Sequence, residues 1–260
     1  MTTSQGRILV IEHQGDAGIG LVGEHLRELG VQLAVVGPDT GVDIPDSLDN
    51  VDGLIVLGGS MGPDEDDKAP WLPATRALLA QAVAREVPTL GICLGAQLLT
   101  SATGGRVHEM PQGPEVGLRS VHFAPEAAAD PLFGALADVE VPVLQWHWLE
   151  AERLPDGAKL LASSEGCVNQ AFRLGSRAWG VQFHPEALGG TASDWVADGA
   201  GELAELGISG DDLVSAVRAA EPQLRDVWGR ISGRFAEIVA AASTPQPELP
   251  ISGGSNAVQR

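Results

Sequence analysis

Val87–Leu98 reads VPTLGICLGAQL, with Cys93 at its centre. Val87–Ile92 is a short apolar run in which Pro88 suits the first residue of a strand. Leu94–Thr103 carries Leu, Ala and Gln, which favour helix. The chain is therefore expected to turn sharply from strand to helix at Cys93. Gly91 and Gly95 lie two residues to either side, where so tight a turn needs missing side chains. This is a nucleophile elbow with sulfur in place of oxygen. A thiol there gains the helix N-terminus, which favours the thiolate, and the Leu94 N–H can face a developing oxyanion. On its own, the pattern also fits a buried cysteine beside two incidental glycines.

Upstream of the elbow, Arg7–Glu12 (RILVIE) reads as a fully buried strand of the kind found in parallel sheets. Ile19, Val22, Leu26 and Leu29 then recur at helical spacing, and Gly30 ends that helix. Val31–Val36 and Val51–Leu57 are further strands, separated by the polar loop Asp39–Asn50. The last of them runs into Gly58-Gly59-Ser60-Met61-Gly62. Trp71–Val83 reads as a helix. Strands alternating with helices imply right-handed crossovers and an α/β fold, a mainly parallel sheet with helices on both faces. Sites in such sheets form beyond the carboxyl ends of the strands, where the Gly58–Gly62 loop and Cys93 both fall. The loop lacks the Lys or Thr of a phosphate cradle. Its amides suit an oxyanion hole instead, with Gly59 the best placed, or the loop is an ordinary glycine turn.

Downstream, Arg106–Met110, Val116–Phe123, Val139–Trp146, Lys159–Ser163, Asn169–Leu174 and Ala178–Phe183 read as short strands. They either extend the same sheet or form a small antiparallel sheet beside it. The last leads into His184-Pro185-Glu186, and the proline keeps His184 extended. Extended residues two apart point the same way, so Glu186 falls beside His184. An imidazole oriented by a carboxylate is the base that a thiol nucleophile needs. Trp195–Leu206, Asp211–Ala219 and Pro222–Ala242 read as three helices, started by Ser193 or Asp194, by Ser209 and by Glu221-Pro222. The helices within 191–242 are expected to complete one domain spanning 1–242. Residues 243–260, rich in Pro and Gly, read as a disordered tail.

The 260 residues carry a net charge of −19, which argues against a nucleic-acid partner. Two cysteines are too few for a disulfide framework and suit a reducing compartment. No signal peptide or membrane-length apolar run is read, so a cytoplasmic protein is expected. The acidic run Asp64–Asp67 reads as solvated surface rather than a metal site. His13, His25, His108 and His122 show no metal-ligand spacing, and neither a metal nor a cofactor is expected. Cys167 lacks an elbow and reads as a structural thiol near the reference pKa of about 8.5.

LGGSMG, GICLGAQLL and VQFHPE, in this order and spacing, resemble class I (triad) glutamine amidotransferases, in particular stand-alone glutaminase domains like that of GMP synthase. The likeness covers roughly Arg7–Glu186. It implies Cys93 as nucleophile, His184 as general base and Glu186 as its orienting carboxylate. It further implies Gly59 and Leu94 as oxyanion donors and Gln97 as a contact to bound glutamine. Gln145–Glu150 resembles the family's clamp for the amino-acid end of glutamine, which brings Trp146 and His147 to the substrate. Relatives often carry Asp where Leu149 stands, although Glu150 follows. The activity implied is hydrolysis of the glutamine side-chain amide through a γ-glutamyl thioester, with ammonia passed to a separate synthase partner. A self-sufficient hydrolase of γ-glutamyl amides or peptides and a non-catalytic binding or regulatory protein are the alternatives.

Overall fold

A computed structural model describes residues 6–243. Its elements, in chain order, are β1 (Arg7–Ile11), α1 (Gly20–Glu28), β2 (Gln32–Val36), β3 (Gly53–Val56), α2 (Leu72–Ala84), β4 (Thr89–Ile92) and α3 (Leu94–Ala102). There follow β5 (Arg106–Glu109), β6 (Glu115–Phe123), β7 (Glu140–His147), β8 (Leu149–Arg153), β9 (Lys159–Ser163), β10 (Ala171–Leu174) and β11 (Ala178–Val181). The helices α4 (Gly189–Asp198), α5 (Ala200–Glu205) and α6 (Gly210–Ser243) close the described chain.

Among the described residues, nine strands form one sheet in the order β2-β1-β3-β4-β11-β10-β9-β6-β7. The pairings from β2 to β11 are parallel, and those from β11 to β7 are antiparallel. Both readings of the downstream segments therefore hold. Five of the strands extend the main sheet, while β5 pairs with β8 in a separate two-stranded sheet. β8 was not read in the sequence, since Ala151 is its one buried residue.

Each strand of the parallel core is apolar on both faces, as burial between two helical layers requires. Ile8 and Val10 of β1, with Ile55 and Leu57, pack with α1, α4 and α6. Leu9 and Ile11, with Leu54 and Val56, pack with α2 and α3. α6 seals its face with large rings: Phe183 lies 5.1 Å from Trp228 and Trp179 lies 6.4 Å from Phe235.

The C-terminal helices differ from the sequence reading. The first begins at Gly189, upstream of Ser193, and the chain re-forms as α5 after Gly199. Asp211–Ala219 and Pro222–Ala242 are one helix, α6, with Pro222 inside it. Leu213, Val217, Leu224, Val227 and Ile231 share one buried stripe across the proline. Continuous packing outweighs the single backbone hydrogen bond that Pro222 removes. Ser209 does start α6, its Oγ accepting from the Asp212 N–H at 3.3 Å. The tail expected over 243–260 lies outside the described residues, apart from Ser243 in α6.

Candidate active site

β4 passes into α3 with Cys93 between them, at φ 51° and ψ −107°. That is a strained conformation for a residue with a side chain, held because the surrounding structure over-determines it. The flanking glycines are needed for contact. A Cβ on Gly91 would sit 2.6 Å from the Gly95 carbonyl oxygen, and one on Gly95 would collide with the Val56 carbonyl oxygen. The Cys93 N–H donates to Val181 O at 2.8 Å, tying the elbow to the strand that leads to His184.

His184 follows β11, its N–H donating to Leu144 O at 2.9 Å. Its Nδ1 lies 2.7 Å from Glu186 Oε1, and both side chains are almost wholly buried. The Leu21 N–H at the start of α1 holds Glu186 O at 2.9 Å. Gly58 packs against both reactive groups, for a Cβ there would lie 3.1 Å from His184 Cε1 and 3.6 Å from Cys93 Cβ. His184 Nε2 is buried without a hydrogen-bond partner. Burial disfavours the imidazolium, but attraction to Glu186 and Cys93 outweighs it and raises the pKa to about 10.

Cys93 and His184 open into a cavity of about 560 Å³. Its inner wall includes Gly59, Gln97, Trp146, His147 and Leu149. Leu94 opens α3, so its N–H has no intrahelical acceptor. In the glycine loop, the Ser60 N–H is taken by Gln14 and the Gly62 N–H by Glu65. A Cβ on Gly59 would lie 3.0 Å from Leu94 Cδ2, so the two expected oxyanion positions adjoin. Gln97 Nε2 donates to Leu149 O at 3.1 Å and to Gln182 Oε1 at 3.3 Å. His147 Nδ1 meets Leu149 O at 3.0 Å, while its Nε2 stands 3.3 Å from Glu115. Burial acts to raise the Glu115 pKa, but the adjacent His147 and the hydrogen bond from Ser164 hold it below the usual range. Glu150 does not fill in for the Asp that Leu149 replaces, because it faces His108 at 3.0 Å across the β5–β8 pair.

Three neighbours of the site were not singled out in the sequence. Gln182 Nε2 lies 3.6 Å from Cys93 Sγ, and the alternation that pairs His184 with Glu186 could have found it. Trp195 of α4 meets the His184 ring edge-on at 4.7 Å and donates its indole N–H to Asp16 O. His13, read as a core or surface residue, is buried beside Gly59. Its Nδ1 accepts from the Trp71 indole, and burial lowers its pKa to about 4, so its proton sits on Nε2. Cys167 departs from a plain thiol: burial, then Glu150 and Glu115, push its pKa up. Among the described residues, no group of three or more His, Cys, Asp or Glu could hold a metal ion. Nor is any helix among them long and apolar enough to cross a membrane.

A cysteine elbow at the carboxyl ends of parallel strands, facing a histidine–carboxylate pair, defines an α/β protein with a covalent-catalysis type of site. Residues 15–200 match the family Glutamine amidotransferase class-I, and the chain belongs to that family. It is 37% identical over 181 residues to the glutamine-hydrolysing GMP synthase subunit of Natronomonas pharaonis, covering 69% of this chain and 88% of that protein. It is 34% identical over 143 residues to γ-glutamyl peptidase 3 of Arabidopsis thaliana, covering 54% of this chain and 56% of that one. A solved glutamine amidotransferase from Thermotoga maritima superimposes with a TM-score of 0.80 at 28% identity, covering 89% of this chain and 98% of its own.

Proposed function

We propose that the protein hydrolyses the side-chain amide of glutamine or of a γ-glutamyl compound through a Cys93–His184–Glu186 triad. The convergence of Cys93, His184 and the 2.7 Å Glu186 contact at the floor of one cavity carries this reading. Cys93 sulfur attacks the γ-carbonyl carbon, and the Leu94 and Gly59 N–H groups receive the oxyanion. The raised pKa of His184 means that the imidazole holds its proton at neutral pH. It gives that proton to the departing nitrogen as the C–N bond breaks. Water then attacks the γ-glutamyl thioester with His184 as base, releasing glutamate and restoring the free Cys93 sulfur and the protonated His184. Gln97 and His147 line the glutamyl end, and Trp146 stands between that end and the outer cavity.

Two fates of the nitrogen are supported by different observations. Similarity to a glutamine-hydrolysing synthase component favours ammonia passed to a separate synthase partner. Similarity to a γ-glutamyl peptidase, and a cavity larger than a single amino acid fills, favour a self-sufficient γ-glutamyl amide hydrolase. Glutamate release by the purified full chain from glutamine and from γ-glutamyl dipeptides tests both. The proposal expects glutamate from at least one of them, abolished by Cys93→Ala. Turnover of the dipeptide at or above that of glutamine selects the second fate, and turnover surviving in Cys93→Ala removes the triad.

A further inference from the structure

Resting on the γ-glutamyl amide reading, we propose that the outer part of the cavity is an amine subsite. It receives the leaving group of a γ-glutamyl amide that carries a second, cationic nitrogen, as in the γ-glutamyl amide of a diamine or polyamine. The cavity runs outward from Cys93 along Trp146, Trp148 and Trp195 to Asp16, Asp198 and Glu202, and no Lys or Arg lines it. The indoles form one wall, with Trp146 centred 5.7 Å from Trp195 and 6.4 Å from Trp148. Among the described residues, the Asp198 and Glu202 carboxylates have no hydrogen-bond or ion-pair partner. Asp16 Oδ1 meets only the Gln14 amide, at 2.8 Å. Glu202 and Trp146 border the same spot: a Cβ on Gly199 would lie 3.0 Å from Trp146 Cζ2 and 3.8 Å from Glu202 Oε2.

The inner end of the cavity fixes which part of the ligand reacts. His184 Nε2, buried and unpartnered, faces the same space as Cys93. With the γ-carbonyl carbon at Cys93, the amide substituent extends toward the indoles and the acidic rim. Ammonia as leaving group would touch none of that surface. An alkylammonium would lie over indole faces with carboxylates beside it, gaining cation–π and ionic attraction together. An acidic leaving group would meet three carboxylates of its own sign. The chemistry is unchanged and balanced. The sulfur–carbon bond forms, the carbon–nitrogen bond breaks, and the nitrogen takes the His184 proton and departs as the free amine. Water then splits the thioester.

The test compares kcat/KM of the full chain on γ-glutamylputrescine, γ-glutamyl-n-pentylamide, the γ-glutamyl amide of γ-aminobutyrate, and glutamine. The cationic amide should exceed its neutral isostere roughly tenfold, the scale of one good cation–π and carboxylate contact. The acidic amide should rank below both, and added salt should narrow the spread. In Asp198→Asn/Glu202→Gln, both exposed positions, the cationic-to-neutral ratio should fall toward one. A ratio at or below one in the parent protein, or a ratio unchanged in the double variant, overturns the subsite. If glutamine is hydrolysed while no cationic preference exists, the triad reading stands and the subsite falls. If none of the four is hydrolysed, both fall.

Discussion

The His184 imidazole sits where burial alone would strip its charge, yet Glu186 and Cys93 hold the proton on it to about pH 10. The sign of that shift sets a pH dependence. A raised histidine pKa keeps the donor form through neutral pH and loses it as the pH rises through about 10, so kcat/KM should fall on that alkaline limb. Glu186→Gln preserves shape and removes the carboxylate charge 2.7 Å from His184 Nδ1. It should lower activity by roughly 10²–10⁴-fold, less than Cys93→Ala or His184→Ala, because Glu186 orients the base without passing the proton itself. Its alkaline limb should move to lower pH, and a limb unmoved in the pH–rate profile would deny Glu186 this role. Much of this local chemistry was readable, because Cys93 with its glycines and His184-Pro185-Glu186 are each contiguous stretches whose backbone geometry sequence dictates. Gln182 was readable by the same alternation. Trp195 was not, since only the packing of α4 brings it to His184.

The elements that carry these residues differ in how much change they can accept. Gly95→Ala would drive a methyl group into the Val56 carbonyl between α3 and β3. It should destabilise the protein by about 1–3 kcal/mol or more, seen as a lower urea midpoint. A stability equal to the parent would show that the elbow is looser than its contacts imply. Pro222→Ala should act in the opposite direction. The exposed proline removes one α6 hydrogen bond, so replacing it should raise the midpoint by up to about 3 kcal/mol equivalent. A fall would mean that α6 depends on a bend there. Pro222 also shows where sequence reading stops: a proline after a glutamate is an ordinary helix start, and only the shared buried stripe from Leu213 to Ile231 makes the helix continuous. β8 escaped for the related reason that its pairing with β5 leaves no apolar alternation.

At the scale of the whole molecule, the C-terminal helices cover the face of the sheet that the site is built on. Trp228 packs on Phe183 one residue before His184, and donates its indole N–H to Pro142 O at 3.3 Å. We therefore expect one folding unit. A chain ending after Ala187 should lose cooperative unfolding by circular dichroism, and a stable, folded fragment would make 191–242 a separate module. The two cysteines of this unit offer the sharpest contrast within it. Cys93 opens onto the cavity, whereas Cys167 is buried with a raised pKa. An electrophilic glutamine analogue followed by peptide mapping tests the central claim directly. The result expected is modification of Cys93 alone, suppressed by excess glutamine or γ-glutamyl amide and matched by loss of glutamate release. Modification of Cys167 in preference, or complete labelling of Cys93 with turnover intact, would contradict it.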